Sequence, residues 1–149
     1  MKNKYLFESN RLGFRNWTNQ DLNEFAKINA DPQVMKHFPN PLSSKETAEF
    51  LLRLQNHYDQ NGYCYFATEL LKSGELIGFI GLAFQEFVSS FTPATDIGWR
   101  LKKSAWGKGY ATEGAKRCLE FAFDELKLDK VVSTCTLKNT QSEKVMRKI

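Results

Sequence analysis

The stretch DIGWRLKKSAWGKGYATEGAKRCLEFAF, residues 96–123, decides how the rest of the chain is read. It begins as a strand in which Asp96, Gly98 and Arg100 share one face and Ile97, Trp99 and Leu101 the other. From Ala111 onward Ala115, Cys118, Leu119, Ala122 and Leu126 fall at helical spacing, opposite Glu113, Lys116, Glu120 and Asp124. Between strand and helix lies SAWGKG. A strand that enters a helix through a glycine turn leaves several backbone N–H groups unpaired at the helix start, where the dipole adds positive charge. Gly107 and Gly109 let the backbone curl without a Cβ clash, and Lys108 brings a full positive charge to the same place. The chemistry implied is a nest for phosphate oxygens; a plain tight turn is the alternative that the local string leaves open. Two other phosphate loops fail on spacing. A Walker loop needs glycine where Lys102 stands and Ser or Thr where Gly109 stands, and a dinucleotide fingerprint needs glycine at Thr112.

The flanking sequence supplies short, ordered elements with no repeat or low-complexity linker. Arg11 to Trp17 alternates as a strand, and Thr18 with Asp21 forms a capping-box start for a helix that turns Leu22, Phe25 and Ala26 inward. Asp31-Pro32 stops it, and Pro32 opens a short helical turn through Met35. After Pro39 and Pro41, Ser43 or Ser44 caps a helix running to about Asn61, with Ala48, Leu51, Leu52, Gln55 and Tyr58 inward and Gly62 as its stop. Tyr63 to Leu71 and Leu76 to Phe87 read as an antiparallel pair around KSGE, and Ala94 to Leu101 follows the Thr92-Pro93 break as a further strand. Lys130 to Thr136 is the last strand. Because a helix joins it to its predecessor as a right-handed crossover, these two run parallel and the sheet is mixed.

Composition narrows the function classes. At 149 residues the chain is of single-domain size, and 42% hydrophobic and 13% aromatic content exclude disorder. A net charge of +4, concentrated only around Arg100, Lys102, Lys103 and Lys108, suits a local anion and not a nucleic-acid surface. Cys64, Cys118 and Cys135 are odd in number and lack metal or redox spacing, which predicts reduced thiols in a cytoplasmic protein. No stretch approaches the roughly 18 apolar residues of a membrane span. His37 and His57 have no ligand partners at metal spacing, so no metal site is expected.

On these residues, 96–123 resembles the acetyl-coenzyme A motif of the GNAT N-acetyltransferase superfamily, in the branch of RimJ/RimL-like ribosomal-protein N-terminal acetyltransferases. The family pattern Gln/Arg-x-x-Gly-x-Gly/Ala falls on Trp106 to Ala111, with Trp106 in place of the usual Gln or Arg. The similarity extends to ESNRLGFRNW near the start, DPQVMKHFP in the middle and NTQSEKVMRKI at the end. It implies one domain over 1–149 and an α/β fold of the α+β type. A mixed central sheet would splay between its fourth and fifth strands and be flanked by helices, with the pantetheine arm in the cleft. Leu101, Trp106, Gly107, Lys108, Gly109, Tyr110, Ala111, Thr112, Asn139 and Ser142 would then bind acetyl-coenzyme A, with the pyrophosphate on amides from about Trp106 to Ala111. Acetyl transfer would be direct, onto a primary amine of a small molecule or a peptide N-terminus.

The resemblance also sorts the candidate side chains. Asn139 and Ser142 match an Asn-x-x-Ser whose serine hydroxyl lies near the sulfur as general acid; simple helix capping is the alternative for both. Asp96, at a position where relatives often carry Glu, is the first candidate base and Glu86 the second; solvated surface carboxylates are the alternative. His37, in the HFPNP segment, borders the acceptor pocket of relatives and is expected to have no catalytic duty. Relatives continue into a further strand pair, whereas this sequence stops at Ile149 inside the apolar spacing Val145, Met146, Ile149. The expectation is a bare sheet edge open to a homodimer or strand-swapped oligomer, and an alternative function as a coenzyme-binding module without turnover or an inactive fragment. A nucleotide-binding regulator is disfavoured by the loop spacing.

Overall fold

The computed structural model of the chain describes residues 4–149. Six strands form one sheet in chain order: β1 (Phe7–Glu8), β2 (Leu12–Arg15), β3 (Tyr65–Leu70), β4 (Leu76–Gln85), β5 (Ala94–Leu101) and β6 (Val131–Val132). All neighbours pair antiparallel except β5 and β6, which are parallel as the crossover argument requires. Four α-helices accompany them: α1 (Leu22–Ala30), α2 (Ser44–Asn61), α3 (Tyr110–Glu120) and α4 (Thr140–Lys148).

β4 carries the core because both of its faces are covered, and its sequence LIGFIGLAF is accordingly apolar almost throughout. On one face Phe79 meets the rings of Phe25 from α1 and Phe50 from α2, at centroid separations of 6.4 and 6.1 Å. On the other, the Cys118 thiol of α3 lies 3.8 Å from the Ile80 carbonyl. The β4–β5 register pairs Phe79 with Arg100 and Ile80 with Trp99. The Arg100 side of β5 therefore faces α1 and α2, and the Trp99 side faces α3. Buried Cys64 and Cys118 have thiol pKa values pushed up by desolvation, which keeps them inert.

The ends of the helices are set by their caps. Ser43 and Glu46 make a reciprocal capping box at α2, and Gly62 closes it in the left-handed region. Thr18 and Asp21 form the expected box, but it opens a 3₁₀ turn (Asn19–Asp21) that runs on into α1. Asp21 also holds Arg15 at 2.8 Å, and Arg15 Nε donates to Glu69 at 2.8 Å, so the start of α1 is tied to β2 and β3.

Several sequence expectations need correction. Leu52 is 57% exposed and Leu54 is buried in its stead, with Thr47 also buried; Leu51 is buried and Ala48, Gln55 and Tyr58 half-buried as expected. Pro32 to Met35 forms turns and no helix, although Met35 is buried. The helix after Ala111 changes at Phe121 to a wider π turn (Phe121–Glu125), which turns Phe121 inward to stack on Phe7 at 4.5 Å. The strand expected over 130–136 pairs only at Thr95–Val131 and Asp96–Val132. Past that point Ser133 keeps a single side-chain bond to the Ile97 carbonyl, and β5 runs on to Leu101 without a ladder partner on that side. The parting lies between β5 and β6, the fourth and fifth strands of the sequence reading; β1 is the strand that reading lacked.

Candidate active site

The parting of β5 and β6 opens beside the start of α3. A 3₁₀ turn (Lys103–Ala105) follows β5, and Gly107 and Gly109 then adopt φ values of +72° and +82°, a region that side-chain-bearing residues rarely enter. Gly109 is the N-cap of α3 and supplies no side-chain cap. Among the described residues, no acceptor takes the amides of Gly107, Lys108, Gly109, Tyr110, Ala111 or Thr112. Six successive donors are left open at a helix N-terminus, the arrangement that suits an anion with several oxygens. Trp106 is the correction to the expected cradle: its amide donates to the Lys103 carbonyl at 3.0 Å, and its indole N–H to the Leu101 carbonyl at 2.8 Å. It braces the loop and adds no free amide. A cavity of about 200 Å³ adjoins the loop, lined by Ile77, Lys102, Ser104, Lys108 and Tyr110 among others.

Three residues absent from the sequence reading of the site hold this loop in place. The Glu113 carboxylate accepts from Ser9 Oγ at 2.6 Å, Arg11 N at 2.8 Å and Arg11 Nε at 2.7 Å. Arg11 in turn donates from Nη1 to the Lys108 carbonyl at 2.9 Å and stacks over the Tyr110 ring at 4.4 Å. Burial acts against the Glu113 charge, but the Ser9 and Arg11 bonds outweigh it and hold the carboxyl below its usual range. The consequence is electrostatic. Glu113, the acid in the first turn of α3, is already satisfied by Arg11 and Ser9, so it does not compete for the six amides. Only the separation in sequence, about a hundred residues, hid this clamp.

On the α1–α2 face of β5, Asp96 is half-buried and accepts from Tyr65 Oη at 2.7 Å and Gln85 Nε2 at 3.1 Å. Desolvation raises its pKa above the ordinary aspartate range, against the lowering pull of those two donors. Tyr65 is itself pushed up, by burial first and then by the neighbouring Asp96 charge. Asp96 is thus a shielded carboxyl with a held orientation, and not a solvated surface acid. Glu86 is exposed just past β4 and makes no bond to this group. His57 receives the Phe84 amide on Nε2 at 2.9 Å, which leaves the proton on Nδ1 to donate to the Tyr63 carbonyl at 2.8 Å. It joins α2 to the edge of the same surface, a role its sequence position does not announce.

Asn139 and Ser142 stand at the start of α4, which packs on α3. Asn139 Oδ1 accepts the Ser142 amide at 3.1 Å, so the capping alternative is realised for Asn139; the Ser142 hydroxyl makes no hydrogen bond among the described residues. Neither residue bonds to Asp96 or to the 107–112 loop. No cluster of three or more His, Cys, Asp or Glu able to hold a metal occurs among the described residues, and no described helix is long and apolar enough to cross a membrane.

A curled mixed sheet whose one parallel pair parts beside an uncapped helix start defines the class: an acyltransferase of α/β architecture. The chain belongs to the GNAT acetyltransferase family, whose acetyltransferase (GNAT) domain model matches residues 11–149. It is 30% identical over 139 residues to the uncharacterized N-acetyltransferase YnaD of Bacillus subtilis, covering 93% of this chain and 78% of that one. It is 34% identical over 127 residues to the FsC-acetyl coenzyme A-N(2)-transacetylase of Aspergillus fumigatus, covering 80% of this chain and 53% of that protein. Among solved structures, an acetyltransferase from Agrobacterium tumefaciens superposes with a TM-score of 0.83 at 25% identity, covering all of this chain and 86% of the other.

Proposed function

We propose that this acetyltransferase moves the acetyl group of acetyl-coenzyme A directly to a primary amine. The observation that carries the reading is the run of six unclaimed amides from Gly107 to Thr112 beside the β5–β6 parting. These amides, with Lys108, would take the coenzyme's pyrophosphate. Asn139 and Ser142 would flank its pantetheine arm, with Leu101 at the end of β5 on the opposite side. The donor is supported by the Aspergillus relative, an acetyl coenzyme A transacetylase.

Asp96 is assigned the proton of the incoming ammonium. Its raised pKa brings it closer to neutrality than a solvated aspartate, and Tyr65 and Gln85 fix the direction of its oxygens. Ser142, whose hydroxyl has no bond to give up, is assigned protonation of the departing thiolate. Placement in the RimJ/RimL-like branch rests on the tryptophan-bearing glycine loop and the Asn139–Ser142 spacing. The test combines calorimetry of coenzyme A binding with thiol release from acetyl-coenzyme A across amines and peptides. Binding plus amine-dependent release is expected. Failure to bind coenzyme A overturns the site; binding without release above hydrolysis for any amine overturns the reaction.

A further inference from the structure

Arg100 carries a charge that the fold does not neutralise. The residue is 9% exposed, and among the described residues no carboxylate lies within ion-pair distance of it. One hydrogen bond is made, from Nη1 to Asn29 Oδ1 at 2.9 Å, and Asn29 is itself fully buried. Nε is sealed from solvent without an acceptor, the one described buried side-chain atom in that condition, and no acceptor takes Nη2. Burial draws the guanidinium down to about 10, against a raising pull from Tyr65.

Three aromatic faces surround the guanidinium carbon: Phe38 at 4.5 Å, Phe79 at 5.1 Å and Phe50 at 5.5 Å. Ring faces favour a cation but give its N–H groups nothing to donate to. An isolated buried charge is costly unless paired, and an arginine with Nη1 occupied offers its Nε–Nη2 edge as a fork for a carboxylate. Phe79 and Phe50 are fixed in β4 and α2. Phe38 lies in the turn-built connector between α1 and α2 and is 45% exposed, the most open of the three rings.

The fork is on the Asp96 side of the sheet. Arg100 and Asp96 share the α1–α2 face of β5, whereas α3 packs on the opposite face. Tyr65 donates to Asp96 and stacks on Phe79 at 4.9 Å, so Asp96, Tyr65, Phe79 and Arg100 form one continuous surface. We propose that the amine acceptor carries a carboxylate, bound by the Nε–Nη2 edge of Arg100 beneath Phe38. Four strand residues span about 13 Å, so the acceptor's amine and carboxylate are separated by roughly the length of a short peptide. The inference takes the position of the amine from the acyl-transfer reading above.

The test uses the full chain saturated with coenzyme A and compares, by calorimetry, triglycine with its C-terminal amide. Triglycine is expected to bind about ten- to hundred-fold more tightly, the range of a charge-assisted pair. In Arg100→Gln this ratio should collapse towards one, and in Arg100→Lys it should recover in part. Coenzyme A affinity and melting temperature report separately whether each variant is folded, and the wild-type ratio decides the matter even if the variants are not. Equal binding of acid and amide by the wild type, no binding of triglycine, or a ratio unchanged in folded Arg100→Gln overturns the proposal. Amine-dependent thiol release with no preference for carboxylate-bearing amines would leave the acetyltransferase reading standing and remove this one.

Discussion

Replacing Glu113 by alanine tests whether the coenzyme loop is held from outside. The carboxylate accepts three hydrogen bonds, two from Arg11 and one from Ser9, linking the first turn of α3 to the β1–β2 connection. The Arg11 side chain is 43% exposed, so its ion pair contributes at most about 1 kcal/mol after screening. The Ser9 hydroxyl, left without its acceptor in a partly buried place, costs about 1 kcal/mol, and the exposed Arg11 amide costs less because water replaces the carboxylate. The expected loss is ~1–3 kcal/mol, or roughly 3–10 °C in melting temperature for a domain of this size. Arg11 also loses the group that aims it at the Lys108 carbonyl, so coenzyme A affinity should fall together with stability. Differential scanning calorimetry and titration with coenzyme A measure both. The pH dependence adds a second check. The folded-state pKa of Glu113 lies below its unfolded value near 4.5, so its stabilisation is present above that pH and is lost as pH falls through the folded value. Glu113→Ala should therefore show a shallower loss of stability in acid than the parent. A variant that melts within a degree of the parent and binds coenzyme A unchanged would refute the clamp.

Asp96→Asn should lower turnover by about a hundred-fold or more if Asp96 takes the proton, yet raise the melting temperature at neutral pH. The carboxyl's folded pKa is raised, so the charged form opposes folding above that pKa, and the penalty fades as pH falls through it towards the unfolded value; pH-resolved melts read the sign. Ser142→Ala should reduce kcat with little change in stability, because the hydroxyl has no bonded partner, whereas Asn139→Ala should cost about 1 kcal/mol through loss of the α4 cap; equal thermal effects would argue against that division. Gly107→Ala meets no atom within 4 Å, so its cost is the backbone's alone, about 1–2 kcal/mol. Gly109→Ala adds a contact at 3.4 Å with Arg11 Nη2 and should weaken coenzyme A binding further. Calorimetry that ranks the two in reverse order would oppose this account.

Much of the scaffold was legible because it rests on local rules. The Ser43 cap and Gly62 stop bound α2 within one residue, and Ala94–Leu101 is a strand over the span its alternation predicted. Where the reading slipped, a neighbour decided. Leu52 and Leu54 are equally apolar, and only the packing of α2 on the rest of the core determines which one is covered. The π turn brings Phe121 against the ring of Phe7, over a hundred residues earlier. Trp106 lies inside the family's loop pattern, but its amide is spent on a 3₁₀ bond that no motif encodes.

The sequence by itself determined the strand–glycine–helix junction, because positive φ and an uncapped helix start are properties of Gly107, Gly109 and the residues beside them. It also determined the parallel pairing of β5 and β6, through the handedness of the crossover. Only the tertiary structure decided that Arg11 and Glu113 lock the junction, that Tyr65 and Gln85 shield Asp96, and that Arg100 lies buried with no carboxylate beside it. Those are relations between residues far apart in the chain, and burial and charge compensation exist only once the packing brings such residues together.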